Sequence, residues 1–187
     1  MYVMILGAPG SGKGTQGKIL AGHLGIPQVS TGDLLRAAVK AGTPLGKQAQ
    51  GYMDQGLLVP DEVIIGLIRE ILDSDTGRSG VLMDGFPRTV AQAGAVDRIL
   101  GEKGNRVDHV ALLEVDEQEL VQRLLARAAK EGRSDDNLES IQRRLRVFHE
   151  QTEPLLAYYE TQGVVRRVAG MGDIDAIQQR LRAAVAE

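Results

Sequence analysis

The sequence predicts an α/β fold in which helices cover both faces of a central parallel sheet. Three observations carry that prediction. Short apolar runs recur along the 187 residues, longer amphipathic stretches separate them, and a glycine-rich turn joins the first run to the first such stretch. With 43% hydrophobic and 25% charged residues, the chain has the composition of one globular domain with a sizeable core.

Each element follows from this pattern in chain order. The run YVMIL (2–6) is apolar throughout and reads as a buried strand. GAPGSGKGTQ (7–16) follows it and leads into an amphipathic segment at 13–24. PQV (27–29) reads as a short strand. Residues 30–59 carry Gly42, Gly46, Gly51 and Gly56 and are too long for a plain connection, so they read as an inserted helical segment with several hinge points. A helix is expected at 60–73, a strand at GVLMD (80–84) and a helix at 88–101. The strand HVALLEV (109–115) comes next, followed by a helix at 116–130 and the polar insertion EGRSDDN (131–137). A single long helix at 137–161, the strand VVRRV (164–168) and a helix at 173–186 complete the series. Ligands of such sheets bind beyond the carboxyl ends of the strands, so motifs at those positions are the candidates for chemistry.

Bulk properties narrow the function classes. The net charge is −3 and the pI about 5.7, which gives no global attraction to nucleic acid or anionic membrane. Only six residues are aromatic, too few for base-stacking platforms along a single strand. There is no cysteine, hence no disulfide framework and no thiolate zinc site, and a cytoplasmic setting fits. The run Tyr2 to Leu6 is too short for a signal peptide or a membrane span. Sixteen of the 22 basic residues are arginine, whose planar fork suits phosphate, although a compositional bias would give the same count.

The glycine-rich stretch matches the phosphate-binding pattern G-x-x-x-x-G-K, in the strand–turn–helix context that its mechanism needs. Backbone N–H groups, the helix N-terminus and Lys13 would together surround a polyphosphate. An empty glycine-rich turn would have no reason for Lys13. The pattern departs at one place: Gly14 stands where a Ser or Thr usually holds magnesium, and the hydroxyl arrives one residue later at Thr15. Kinases, GTPases and motor ATPases all remain open at this point. Asp84 ends a buried strand, where a magnesium-orienting acid stands in such proteins, although turn capping is a common alternative. Arg88 follows Pro87 at a helix N-terminus, which disfavours a cation unless an anion lies close by. Arg123 and Arg127 share a helical face, but Glu119–Arg123 and Arg127–Glu131 are i,i+4 pairs, and spacing alone favours a solvated ladder. His23, His109 and His149 do not cluster with carboxylates, and the adjacent pairs Asp61–Glu62 and Asp135–Asp136 suggest no site. The D-x-x-G and N-K-x-D motifs of a GTPase-type switch do not occur.

GAPGSGKGTQ, STGDLLR (30–36), GLLVPDE (56–62), DGFPRTVAQA (84–93) and GRSDDN (132–137) occur together and in order, as in the adenylate kinases, which the chain resembles over nearly its whole length. The resemblance implies a P-loop three-layer α/β/α fold. It also implies a core (1–29, 60–126, 137–187), an inserted AMP-binding segment (30–59) and a short lid (about 127–136). It implies transfer of the terminal phosphoryl group from ATP·Mg²⁺ to AMP, giving two ADP, by a cytoplasmic monomer without nucleic-acid or membrane partners. Gly10, Ser11, Gly12, Lys13, Gly14 and Thr15 would hold the ATP phosphates, with Gly172 near the ATP adenine. Thr31, Arg36, the backbone of Leu57, Leu58 and Val59, then Gly85, Phe86, Pro87, Arg88 and Gln92 would form the AMP site. Arg36 and Arg88 would grip its α-phosphate, and Thr31 and Gln92 would lie against its base. Arg123 and Arg127 would face ATP, and Arg133 and Arg144 would bridge towards AMP. This carry-over displaces the ladder reading of Arg123 and Arg127. G-K-G-T is the normal form in this branch, so Mg²⁺ would be held by phosphates and waters, with Asp84 orienting one water. UMP/CMP kinases share the scaffold but typically carry Ala at position 31 and Asn at position 92, whereas Thr31 and Gln92 follow the adenylate pattern. A short lid also makes closure of 30–59 and the lid over the nucleotides the expected means of excluding water. The resemblance itself implies that motion.

Overall fold

A computed structural model of the chain describes residues 1–131 and 137–186. Five strands form one sheet: β1 (Tyr2–Gly7), β2 (Gln28–Ser30), β3 (Val81–Asp84), β4 (His109–Glu114) and β5 (Val165–Ala169). Their order is β2-β3-β1-β4-β5 and every pairing is parallel. The helices are α1 (Lys13–Leu24), α2 (Thr31–Lys40), α3 (Pro44–Asp54), α4 (Asp61–Asp73), the short α5 (Asp75–Arg78), α6 (Val90–Gly101), α7 (Glu117–Glu131), α8 (Leu138–Val147), α9 (Pro154–Glu160) and α10 (Ile174–Ala186). Among the described residues no helix is long and apolar enough to cross a membrane.

The strand residues alternate between two cores. Tyr2, Met4 and Leu6 of β1 join Met83, Ile68, Val96, Leu155 and Tyr159 on one face of the sheet. Val3 and Ile5 join Leu20, Leu82, Leu113, Ile177 and Leu181 on the other. All six β1 residues are buried, which is why this strand reads as an unbroken apolar run in sequence. A third cluster packs Ala8 against Leu120, Leu124, Ile141 and Leu145, and so seats the glycine-rich turn on α7 and α8.

The single helix expected at 137–161 is instead three pieces. A π turn at Phe148–Thr152 separates α8 from α9, and the Glu153 N–H reaches back five residues to the Phe148 carbonyl at 2.8 Å. Pro154 explains the break, because it has no N–H to donate and its ring crowds the carbonyl four residues earlier.

Topology fixes where a ligand can lie. β1 sits between β3 and β4; the chain runs from β1 to β2 and β3 on one side of it, then crosses to β4 and β5 on the other. The crevice at that reversal, beyond the carboxyl ends of β1 and β3, is lined by the turn after Gly7 and by Asp84.

Candidate active site

The glycine-rich turn owes its shape to backbone freedom at two residues. Gly10 and Gly12 have φ of 88° and 90°, a region side chains disfavour. A Cβ on Gly10 would also stand 2.8 Å from the Leu120 carbonyl, so the turn lies directly on α7. The Ser11 N–H donates to the Ala8 carbonyl at 3.0 Å, and its hydroxyl is buried beneath the turn. α1 then opens with no side-chain cap and no acidic residue in its first turn, and that end suits an anion.

Lys13, the first residue of α1, donates to the Ala8 carbonyl at 3.4 Å. Burial pushes its ammonium down to about 8; Arg88, Arg144 and Arg127 add to the fall and Asp84 opposes it. Asp84 closes β3 in register with Ile5 and Ser30. Burial raises its carboxyl pKa, against the opposing pull of Lys13 and Arg88. Gln28 Nε2 donates to Asp84 Oδ2 at 3.3 Å and to the Gly14 carbonyl at 3.2 Å, tying strand end to turn. A Cβ at Gly14 would lie 3.5 Å from Asp84 Oδ2. Glycine there keeps a space beside that oxygen which a threonine side chain would fill.

These groups line an open cleft with Gly10, Gly12, Gly14, Thr15, Lys18, Arg36, Arg88, Arg123, Arg127 and Arg144. Seven cations face two carboxylates, Asp33 and Asp84, so the cleft is built for a polyanion. Arg123 satisfies both readings of its spacing. Its Nε donates to Glu119 at 2.8 Å, while both terminal nitrogens donate to the Gly170 carbonyl at 3.3 Å and the side chain lines the cleft. Gly172 lies in the exposed turn between β5 and α10, beside Arg180, and is not among the residues lining this cleft. Arg133 and the side chain of Glu131 lie outside the described residues.

A second pocket opens off the cleft between α2, α3 and the start of α6. Thr31, Leu57, Leu58, Val59, Ile64 and Gln92 line it, and the Thr31 hydroxyl donates to the Gly85 carbonyl at 2.9 Å. Gly32, Arg36, Gly85, Arg88 and Arg144 line both this pocket and the cleft. Arg88 is anchored by its Nε donating to the Gly85 carbonyl at 2.8 Å, while its own carbonyl accepts the Thr152 hydroxyl at 2.9 Å. α8 brings Arg144 over the pocket by seating on the end of α3, where the Ser140 hydroxyl donates to the Asp54 carbonyl at 3.2 Å. Phe86 turns into the core, and Pro87, after a cis peptide, lines a third pocket in which Ile5, Leu6, Val147 and Phe148 accompany Lys13, Arg88 and Arg144.

The adenylate kinase family profile matches residues 5–164, which include the glycine-rich turn, both carboxylates of the cleft and all its described arginines. The chain belongs to the adenylate kinase family. An adenylate kinase from Thermus thermophilus is 54% identical over 183 residues, 98% of this chain and 96% of that protein. One from Thermobifida fusca is 49% identical over 185 residues, 99% of this chain and 98% of its own. A third, from a Geobacter species, is 45% identical, but its alignment runs to 212 residues, longer than this chain. That adenylate kinase therefore contains residues for which this chain has no counterpart.

Lys18, Gln28 and Asp61 are among the residues of the site that the sequence does not single out. Lys18 sits one turn after Thr15 on α1, and its helical spacing from the loop could have marked it. Gln28 and Asp61 act through partners 56 and 31 residues away, and nothing local signals those contacts.

Proposed function

We infer that this member of the adenylate kinase family is a phosphotransferase that moves the terminal phosphoryl group of ATP to AMP, giving two ADP. One observation supports it above the others. The pocket around Thr31 and Gln92 and the wider cationic cleft share Arg36, Arg88 and Arg144, so an acceptor phosphate and a donor phosphate would come together under the same guanidinium groups.

The residues need to supply no covalent chemistry. The acceptor phosphate is already an anionic nucleophile, and the charge spread over the transferring group calls for positioned cations. Gly10 to Thr15 and Lys13 would hold the donor's terminal phosphates, Arg123 and Arg127 would approach them from α7, and Arg36 and Arg88 would hold the acceptor's phosphate. Arg144, together with Arg133, would span the two. Thr31, Gln92 and the 57–59 backbone would seat the acceptor base, and Gly172 would lie towards the donor's base. Among the described residues no group of three or more acidic, histidine or cysteine side chains is placed to hold a metal. The donor set nevertheless fits magnesium held through water, since Asp84 has one carboxylate and the side-chain-free Gly14 leaves space beside it. Bound with ATP, Mg²⁺ would neutralise charge on the terminal phosphates. The protein would act as a cytoplasmic monomer, on the family's example. The segment at 30–59 and the lid would close over the nucleotides before transfer, keeping water from the reacting group.

Incubating the protein with ATP, Mg²⁺ and each nucleoside monophosphate, and following diphosphate formation, tests this reading. AMP is expected to be strongly preferred, and Thr31→Ala with Gln92→Asn is expected to erode the preference towards UMP and CMP. Equal rates with all acceptors in the unmodified protein would count against an adenylate kinase, and nucleotide binding without transfer would count against an enzyme.

Lys13 adds a pH dependence. Its nucleotide-free pKa is lowered to about 8, and a bound polyphosphate favours the charged form, so the complex holds its proton to higher pH. Above pH 8 binding must therefore take up a proton. ATP affinity is expected to fall by up to about tenfold per pH unit above 8, until the pKa of the complex is reached. Calorimetry in buffers of different ionisation enthalpy would show the uptake, and Lys13→Arg would abolish it. A pH-independent affinity between 8 and 10 would refute the assignment.

A further inference from the structure

The side-chain amide of Gln92 faces the acceptor pocket and is held from two sides. The backbone N–H of Arg88 donates to its Oε1 at 2.8 Å, and its Nε2 donates to Asp61 Oδ1 at 2.7 Å. Asp61 is the first residue of α4, and the Thr89 hydroxyl donates to its other oxygen at 3.0 Å. Thr89 in turn accepts the Gln92 N–H at 3.2 Å, which closes the ring. Gln92 itself is only 2% exposed.

An amide has two donors on nitrogen and two acceptor positions on oxygen. Turned over, the Gln92 amide would set its NH₂ against the Arg88 N–H and its oxygen against the Asp61 carboxylate. Both contacts would be partly buried and of like polarity, and both hydrogen bonds would be lost. The two anchors therefore fix which end is oxygen and which is nitrogen. One acceptor position on Oε1 and one N–H on Nε2 are left for a ligand.

That remaining pair discriminates between purines. A 6-aminopurine offers an amino donor beside a ring-nitrogen acceptor, the complement of an amide oxygen beside an amide N–H. A 6-oxopurine of the same shape puts an acceptor where the amino group was, opposite the amide oxygen. We infer that Asp61 is a specificity-positioning residue. By fixing the polarity of the Gln92 amide, it selects a 6-aminopurine monophosphate against a 6-oxopurine monophosphate. It acts through Gln92 and not by touching the nucleotide, and the inference rests on the acceptor reading proposed above.

The test compares AMP with inosine monophosphate, which differ at C6 and at the adjoining ring-nitrogen proton. In Asp61→Ala a water replaces the carboxylate, and water both donates and accepts, so one side of the lock is lost. The AMP-to-inosine-monophosphate ratio of kcat/KM is expected to fall about tenfold, about the effect of one amide hydrogen bond. The change should appear in KM, with kcat at saturating AMP held within about threefold. Asp61→Ser, whose hydroxyl also donates and accepts, should show the same fall and serves if the alanine variant folds poorly. Asp61→Asn can still present a carbonyl to Gln92 and should keep most of the preference. A loss of folded protein would scale both acceptors equally and leave the ratio alone. Calorimetric titration with each monophosphate, without a donor, should give the same ratio in affinity. An unchanged ratio in Asp61→Ala and Asp61→Ser overturns the inference, as does equal use of both purines by the unmodified protein. If neither purine monophosphate binds the unmodified protein, the acceptor reading falls and the inference falls with it.

Discussion

Arg88→Ala is expected to lower kcat/KM for AMP by at least about a thousandfold while leaving the fold intact. An arginine that neutralises charge in phosphoryl transfer contributes on that scale. Arg88 lines the pocket proposed for the acceptor, the cationic cleft and the pocket it shares with Lys13 and Arg144, which is where the two phosphates would meet. It stands just before the N-cap of α6, where the helix dipole disfavours a cation, and a bound phosphate would reverse that penalty. The fold should survive because the two anchors that shape this turn are main-chain. The Arg88 N–H reaches Gln92 and its carbonyl accepts from Thr152, and both remain in the alanine variant. Arg88→Lys keeps the charge but loses the planar fork, and should recover no more than about tenfold of the loss. Steady-state rates over a range of AMP and ATP concentrations, with a thermal melt as control, decide it. An alanine variant within tenfold of the unmodified protein would remove Arg88 from the transfer step.

The parts of this protein legible in sequence were those whose cause is local. Strand β1 announces itself because both its faces are buried, so every position must be apolar. The glycine-rich turn is legible because its glycines, its lysine and the helix after it are contiguous and each has a conformational or chemical reason. Asp84 and Arg88 were visible for the same reason, as a strand end and the turn that follows it. Where one pattern serves two ends, the residues could not decide. Arg123 four residues after Glu119 is a surface ladder and also a cleft residue, and only the approach of Gly170 from the end of β5 shows the second role. The 137–161 segment keeps its helical periodicity through the π turn, so amphipathicity alone joined what Pro154 separates. In sequence Asp61 is only half of an adjacent acidic pair with Glu62. Its contact with Gln92 exists only once α4 and α6 have packed side by side.

Lys13→Met is expected to cut kcat/KM for ATP by about a thousandfold and at the same time raise the melting temperature of the nucleotide-free protein by about 3 °C. The first effect follows from removing the one ammonium within the phosphate turn. The second follows from what that ammonium does when no phosphate is bound. It is partly buried among Arg88, Arg144 and Arg127, with Asp84 as the opposing charge, and the net result is a pKa lowered to about 8. Below pH 8 the lysine is charged in both folded and unfolded chains, and the folded state bears the whole of that unfavourable environment. Between about 8 and its ordinary value of 10.5 the unfolded chain holds more protons, so the stability of the unmodified protein rises with pH. Methionine is of similar length, carries no charge and continues the apolar lining formed by Ile5, Leu6, Val147 and Phe148. Asp84 loses a partner but keeps the Gln28 amide and the field of Arg88 and Arg36. The advantage of the variant should therefore be full at pH 7 and shrink towards pH 10. Saturating ATP should reverse the order of the two melting temperatures, because only the unmodified protein gains the full binding free energy. Scanning calorimetry of both proteins at pH 7 and pH 9.5, with and without ATP, separates these effects. A variant that melts lower than the unmodified protein without nucleotide would show that Lys13 stabilises the empty cleft instead of straining it.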